Sequence, residues 1–266
     1  MSFWGFVWLA LKINVVTNAV LWLVSVVKKN VTVVDPFWGL GFAVMATGLW
    51  LAGPPATARG VLVVAMLWIW GLRYALHLYW RQWGHSEETT YYPYREWRER
   101  AGDSFWWVSL FRVFVPQALG TTLVGLPALV AMHAAGRGGF SLLDAAGVLV
   151  WFAGFATEAV ADYQLACFKH DPANRGEVLR HGLWGYSRHP NYFGDALMWW
   201  GMWLVALSTG HGFWTVVSPA VMTFLLMRVS GVTMVEDRSA VGRRPGYAEY
   251  VRTVSPFVPR PPSADR

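Results

Sequence analysis

Long apolar runs separated by polar, aromatic-rich stretches recur along the whole chain, at 3–27, 37–52, 60–80, 107–132, 141–161, 193–210 and 212–233. About 20 mostly apolar residues in a helix cross a hydrocarbon core of about 30 Å. The pattern therefore predicts an all-α fold, a polytopic membrane bundle of about seven transmembrane helices. The first run has no basic segment before it, and Lys28 and Lys29 follow it, so it reads as an anchor rather than a secretory leader. The connections are of two kinds. Those such as 52–55 are short and bland, whereas 81–106, 162–192 and 234–258 are long and crowded with polar and aromatic groups.

Basic residues give an independent reading of the topology, because cytoplasmic loops of membrane proteins carry excess Lys and Arg. Alternate connections and the C-terminal segment hold sixteen of them, against only Arg59 and Arg137 in the loops between. The N-terminus is predicted outside and the C-terminus in the cytoplasm, in a bacterial inner membrane. The long polar loops then all face the cytoplasm.

Composition agrees with this picture: 55% of residues are hydrophobic and eighteen are Trp, too apolar and aromatic for an ordinary soluble domain. The net charge of +6 becomes a topological signal, with some attraction to anionic lipid, rather than a nucleic-acid footprint. Cys167 is the single cysteine, so no disulfide and no thiolate metal site can form within the chain. No internal repeat is visible, and the simplest organisation is one membrane domain over 1–258 followed by a disordered tail at 259–266.

Ionisable groups within or at the ends of spans are costly in lipid and read as functional candidates. Glu158, Asp162 and Lys169 are spaced by four and seven residues, which places two carboxylates and a cation on one face of a helix leaving the fifth span. The same acids would serve equally as a solvated helix end. The densest motif runs Gly182, Leu183, Trp184, Gly185, Tyr186, Ser187, Arg188, His189, Pro190, Asn191, Tyr192, Phe193, Gly194, Asp195. It predicts a polar loop entering a helix, with Pro190 at the first helical position and Ser187 or His189 as the cap. Asn191 and Asp195 share a face there. A helix N-terminus beside Arg188 and His189 suits a phosphate, and Asp195 suits a ribose hydroxyl or an amide. No metal centre is expected, since His189 has no second His one turn on and no H-E-x-x-H is present. Glu236 lies where the last run ends. In the N-terminal half, Asp35 before Pro36, and Arg73, Tyr74, His77 and Tyr79 in the third run, are candidates for a substrate pocket, although aromatic-rich membrane helices also carry such residues as packing.

These motifs resemble the steroid 5-alpha-reductase superfamily, in particular its bacterial branch of membrane proteins, the DUF1295 family. The resemblance covers nearly the whole chain and is carried by Glu158 and Asp162, by Phe168 and Lys169 with Pro172 and Asn174, by 182–195, and by Ser230, Gly231, Val232 and Glu236 followed by Tyr247 and Tyr250. The Arg-His-x-x-Tyr-x-Gly-Asp pattern is also similar to the C-terminal part of sterol C14 and C7 reductases. The resemblance implies a seven-helix bundle with NADPH in a cytoplasm-facing cavity of the C-terminal half. Asp162, Lys169, Tyr186, Asn191, Asp195 and Glu236 match cofactor-lining positions, with Glu158, Arg188 and His189 in the same network. Lys169 stands where the animal steroid enzymes have Arg, and Glu236 where they have Tyr. Their Gln-Glu pair and ketone-polarising Tyr have no match in the N-terminal half, which counts against a 3-oxo-steroid. A Rossmann site is excluded by the lack of a G-x-G-x-x-G after a strand.

The expected activity is hydride transfer from NADPH to a carbon–carbon double bond of a lipid or sterol-like substrate drawn from the bilayer, with Tyr74, His77 or Asp35 as proton donor. Two competitors remain. Membrane S-adenosylmethionine-dependent methyltransferases of the isoprenylcysteine type also carry an Arg-His-Pro-x-Tyr-x-Gly helix start with a C-terminal Glu and Tyr-x-x-Tyr. A non-catalytic lipid-binding protein with the same bundle is the third reading.

Overall fold

The computed structural model of the chain describes residues 1–53, 57–82, 92–134, 139–229 and 245–262. Among these residues the protein is all-helical, with no strand and a single isolated bridge between Ser187 and Ser255. Four helical stretches are long and apolar enough to cross a bilayer: Phe3–Lys28, Ala58–Arg81, Tyr94–Val124 and Leu142–His170. Only 22% of the apolar window of the first, and 28% of that of the last, is buried within the protein, so most of each window needs an apolar solvent outside it. The chain divides into two compact units, Met1–Gly139 and Phe140–Arg266.

In the first unit, α1 (Phe3–Lys28) starts on Ser2, whose Oγ accepts from Gly5 N at 3.1 Å, and stops where Lys29 takes a left-handed conformation with φ 52°. A 3-10 turn (Val31–Val34) then leads through Asp35 and Pro36 into α2 (Phe37–Ala52). This helix packs on α3 (Ala58–Gln82) at the glycines Gly39 and Gly71. A Cβ on Gly71 would lie 2.8 Å from the Gly39 carbonyl oxygen, so the two backbones meet only because neither residue has a side chain. The segment α4 (Tyr92–Ala101) is followed by α5 (Phe105–Ser109), a π-helical turn (Leu110–Phe114) and α6 (Val115–Val124). The wide turn sits just before Pro116, whose ring and missing N–H disrupt the ordinary ladder. Gly125 and Pro127 then break the expected fourth span, and α7 (Leu126–His133) begins as a separate helix. Asn14 joins α1 to the rest of the unit: its Nδ2 donates to Thr122 Oγ1 at 2.8 Å, fully out of solvent.

In the second unit, a capping box fixes the start of α8 (Leu142–His170): Asp144 N donates to Ser141 Oγ, and Ser141 N donates to Asp144 Oδ2 at 2.8 Å. Asp144 Oδ1 also accepts from Ser208 Oγ at the end of α9 (Pro190–Leu207). These two helices run antiparallel. Gly147 faces Gly201 and Gly154 faces Gly194, the two glycines on each helix being seven positions apart; a Cβ on Gly154 would meet the Gly194 oxygen at 2.6 Å, and one on Gly201 the Trp151 nitrogen at 2.4 Å. The fifth helix is longer than the apolar run predicts, because α8 continues through its polar strip to His170. The seventh run is subdivided into a 3-10 turn (Phe213–Val216), α10 (Val217–Phe224) and a π-helical turn (Leu225–Val229).

The C-terminal segment closes the unit. After α11 (Tyr247–Thr253) the chain runs extended beside the 180–189 loop. The predicted tail is not free from its first residue, since Arg260 N donates to Tyr186 O at 3.0 Å.

Candidate functional site

The acidic strip of α8 falls on the same face as the glycines that admit α9. Gly147, Trp151, Gly154, Glu158, Ala161 and Asp162 are all buried on one helical stripe, so the acids are carried into the helix pair rather than into water. Glu158 is 3% exposed and Asp162 6%. Across from them, Asn191 Nδ2 donates to Asp162 Oδ1 at 3.1 Å, and the backbone of Gly194 lies against that of Glu158. Asp195, one turn beyond Asn191, is also buried. The spacing argument is therefore met in three dimensions: 158 with 162, and 191 with 195, lie along facing turns of two helices. The alternative of a solvated helix end does not describe Glu158 or Asp162.

Arg188 and His189 enter the same region through the loop before α9, and both are buried. His189 precedes Pro190, the first helical residue, and its ring stacks on Tyr192 with centroids 5.4 Å apart and planes 3° from parallel. The expected cap differs. No side chain caps α9, because Ser187 Oγ is committed elsewhere: it accepts from His189 N at 3.1 Å and donates to Phe257 O at 2.7 Å. The N-terminal end of α9 carries a partial positive charge and has no side-chain cap hydrogen bond.

What holds this loop was not visible in the motif. Arg188 N donates to Ser255 O at 2.8 Å, Tyr250 Oη donates to Trp184 O at 2.7 Å, and Arg180 bonds both Glu249 and the Gly246 carbonyl. On the other side, Trp184 Nε1 donates to Ala161 O and Leu183 N to Gln164 Oε1. The loop is thus fixed between α8 and the C-terminal segment largely through backbone groups. Tyr247 and Tyr250 carry no sequence signal for this beyond their spacing.

Lys169 and Tyr186 are exposed. Lys169 lies on the stripe of Asp162 but two turns on, about 10 Å along the axis. Glu236, with Ser230, Gly231 and Val232, lies outside the described residues. Asn191 Oδ1 is buried and accepts no hydrogen bond from the described residues, so the amide is only half used by Asp162. Among the described residues, no three His, Cys, Asp or Glu side chains gather as a metal site.

The N-terminal candidates belong to the other unit. Tyr74 and His77 are half-buried on α3, and Tyr74 packs over Gly39 and beside Trp70. Tyr79 is 56% exposed and points outward. Asp35 has a partner that sequence reasoning missed: Tyr94 Oη donates to Asp35 Oδ1 at 2.9 Å, from a tyrosine 6% exposed among Leu21, Val31, Val34, Phe105 and Phe114. The only hint was a Tyr in an otherwise charged helix, α4.

The arrangement is that of a helical membrane protein with a buried polar strip between two close-packed helices, stabilised by a backbone-bonded loop. The family model described as "Protein of unknown function (DUF1295)" matches residues 21–254, and the chain belongs to that family. It is similar to an uncharacterized protein of the fission yeast Schizosaccharomyces pombe, 25% identical over 276 residues, covering 94% of this chain and 78% of that protein. That relative is eukaryotic, so membership does not restrict the chain to bacteria. No solved structure gives a significant match.

Proposed function

We propose that the protein is a membrane-embedded, NADPH-dependent reductase of a carbon–carbon double bond in a lipid or sterol-like substrate, related to the steroid 5-alpha-reductases. The observation that carries the reading is the strip of buried Glu158, Asp162 and Asp195 with half-buried Asn191 between them, and buried Arg188 and His189 at the head of α9. Burying five ionisable groups within a few helical turns is costly unless a ligand or partner groups use them. Their chemistry fits a dinucleotide: carboxylates accept from ribose hydroxyls and the carboxamide, Arg188 and the exposed Lys169 attract phosphate, and Asn191 Oδ1 is a buried acceptor that the described residues leave open. The glycine-lined helix contact keeps the strip rigid, and the C-terminal segment keeps Arg188 and His189 in place.

NADPH, when bound, supplies the hydride. The chain's own task is to orient it, exclude water and deliver a proton to the other carbon of the alkene. Of the expected donors we favour Asp35, a half-buried acid whose carboxyl is held in place by the hydrogen bond it accepts from Tyr94 Oη at 2.9 Å. Tyr74 and His77 remain secondary. The predicted topology, with the 162–192 loop and the head of α9 on the cytoplasmic side, gives a soluble cofactor access to a substrate dissolved in lipid.

Quenching of Trp emission by NADPH in purified protein tests the cofactor assignment. Asn191→Ala is expected to weaken binding by up to about tenfold, the loss of one hydrogen bond in a buried site. Tyr94→Phe is expected to leave NADPH binding intact and slow lipid-dependent NADPH oxidation by about 10²- to 10⁴-fold. Binding of S-adenosylmethionine but not NADPH would replace this reading with the methyltransferase one. Binding of neither would leave a lipid-binding protein. Lipid profiles of a deletion strain identify the substrate as the unsaturated species that accumulates.

A further inference from the structure

The face of α9 turned away from the polar strip lines a second feature. At 100° per residue, Phe193, Leu197 and Trp200 lie roughly opposite Asn191 and Asp195 on the helix. They form one wall of a cavity of about 500 Å³, with Thr223 and Met227 on another side and Pro256 and Phe257 of the C-terminal segment over it. That volume lies within the range of about 300–1,000 Å³ of sites that hold small organic ligands. Phe193 and Phe257 meet edge to face at 5.8 Å, and Trp200 Nε1 donates to Thr223 Oγ1, which uses up the indole's one donor. The walls are mostly apolar, with Thr223, Ser255 and Arg260 as the polar residues of the lining. Arg260 completes the lining; its side chain is exposed and makes no ion pair among the described residues.

We propose that this groove holds one acyl chain of an anionic membrane phospholipid, with the headgroup phosphate on the Arg260 guanidinium. A mostly apolar trough roughly two helical turns long, with Arg260 as the cation in its lining among the described residues, matches an amphiphile that is apolar along its length and anionic at its head. Occupancy has a consequence for the strip on the other face of α9. The residues over the groove, 255–260, are the ones that bond Tyr186, Ser187 and Arg188 through Arg260 N, the Phe257 oxygen and the Ser255 oxygen. A chain packed beneath Pro256 and Phe257 holds that segment, and through it the loop that presents Arg188 and His189.

The test is made on delipidated full-length protein in a neutral detergent, with phosphatidylglycerol or phosphatidylcholine added. Bound lipid is counted by native mass spectrometry and the melting midpoint is followed. Wild-type protein is expected to bind phosphatidylglycerol about fivefold more tightly than phosphatidylcholine, the factor for one cation near an anionic headgroup, and to melt higher with it. Arg260→Gln, an exposed change that leaves folding alone, is expected to abolish the preference while keeping residual binding of both. Leu197→Trp, which fills the groove, is expected to lose both. A phosphatidylglycerol carrying a photoreactive group in its acyl chain is expected to label peptides containing 193–200 or 255–258. Equal binding of the two lipids by wild type, an unchanged preference in Arg260→Gln, or labelling confined to other helices overturns the proposal. None of these readouts depends on NADPH, so the cofactor assignment stands or falls separately.

Discussion

The two compact units handle buried polarity in different ways. In Phe140–Arg266 the polar groups ride on the packing surface itself: the stripe of α8 that bears Gly147 and Gly154 also bears Glu158 and Asp162, and the facing turn of α9 bears Gly194 beside Asn191 and Asp195. In Met1–Gly139 they include contacts that join elements far apart in the chain, Asn14 to Thr122 and Asp35 to Tyr94, in a unit whose core is built of large apolar side chains such as Phe42, Trp70 and Phe114. The lesson concerns tolerance. A strip that shares a surface with a backbone contact is only as well placed as that contact, whereas side-chain contacts between distant elements can be removed without forcing two backbones apart.

The sharpest way to break this contrast is to push α8 and α9 apart. Gly194→Leu would place Cβ 2.5 Å from the Glu158 nitrogen, contact with backbone that cannot move aside. Destabilisation of about 3 kcal/mol or more is expected, with loss of NADPH binding, read from melting and Trp quenching. Gly41→Ala in the first unit, whose nearest neighbour would be 3.7 Å away, is the contrasting change and is expected to be neutral or to stabilise by up to about 1 kcal/mol. A smaller effect comes from Asn14→Leu, which removes the interhelical bonds to Thr122 Oγ1 and Met45 Sδ; about 0.6–1.7 kcal/mol is expected, read from the melting midpoint, with NADPH affinity unaltered. If affinity falls as well, the units are not energetically separate. The smallest effect is assigned to Glu249→Gln, whose pairing with Arg180 is 41% and 62% exposed; a change within about 1 kcal/mol, shrinking with added salt, is expected.

Helical content, the apolar spans of α1, α3 and α8, and the shared face of Glu158, Asp162 and Lys169 were legible in the sequence, because each depends on helical periodicity over a few turns. Pro190 at the start of α9 follows from local backbone chemistry and was legible for the same reason. The limits of the spans were less so. Hydropathy does not register the break at Gly125 or the subdivision of the seventh run, where backbone geometry changes without any change in polarity.

Other relations were decided only when distant segments met. Ser187 reads as a cap in isolation, and becomes the hydroxyl that bonds Phe257, seventy residues away, because the C-terminal segment reaches it first. Arg260 reads as the start of a free tail, and is docked on Tyr186. Asp35 reads as a lone acid before a proline, and is paired with Tyr94 across a separation of fifty-nine residues. Periodicity reports which side chains share a face, and so the sequence alone determined an apolar helical protein with a polar strip. Which face meets which, how closely two glycine backbones approach, and which carbonyl claims a given hydroxyl depend on packing between segments far apart in the chain, and those the tertiary structure decided.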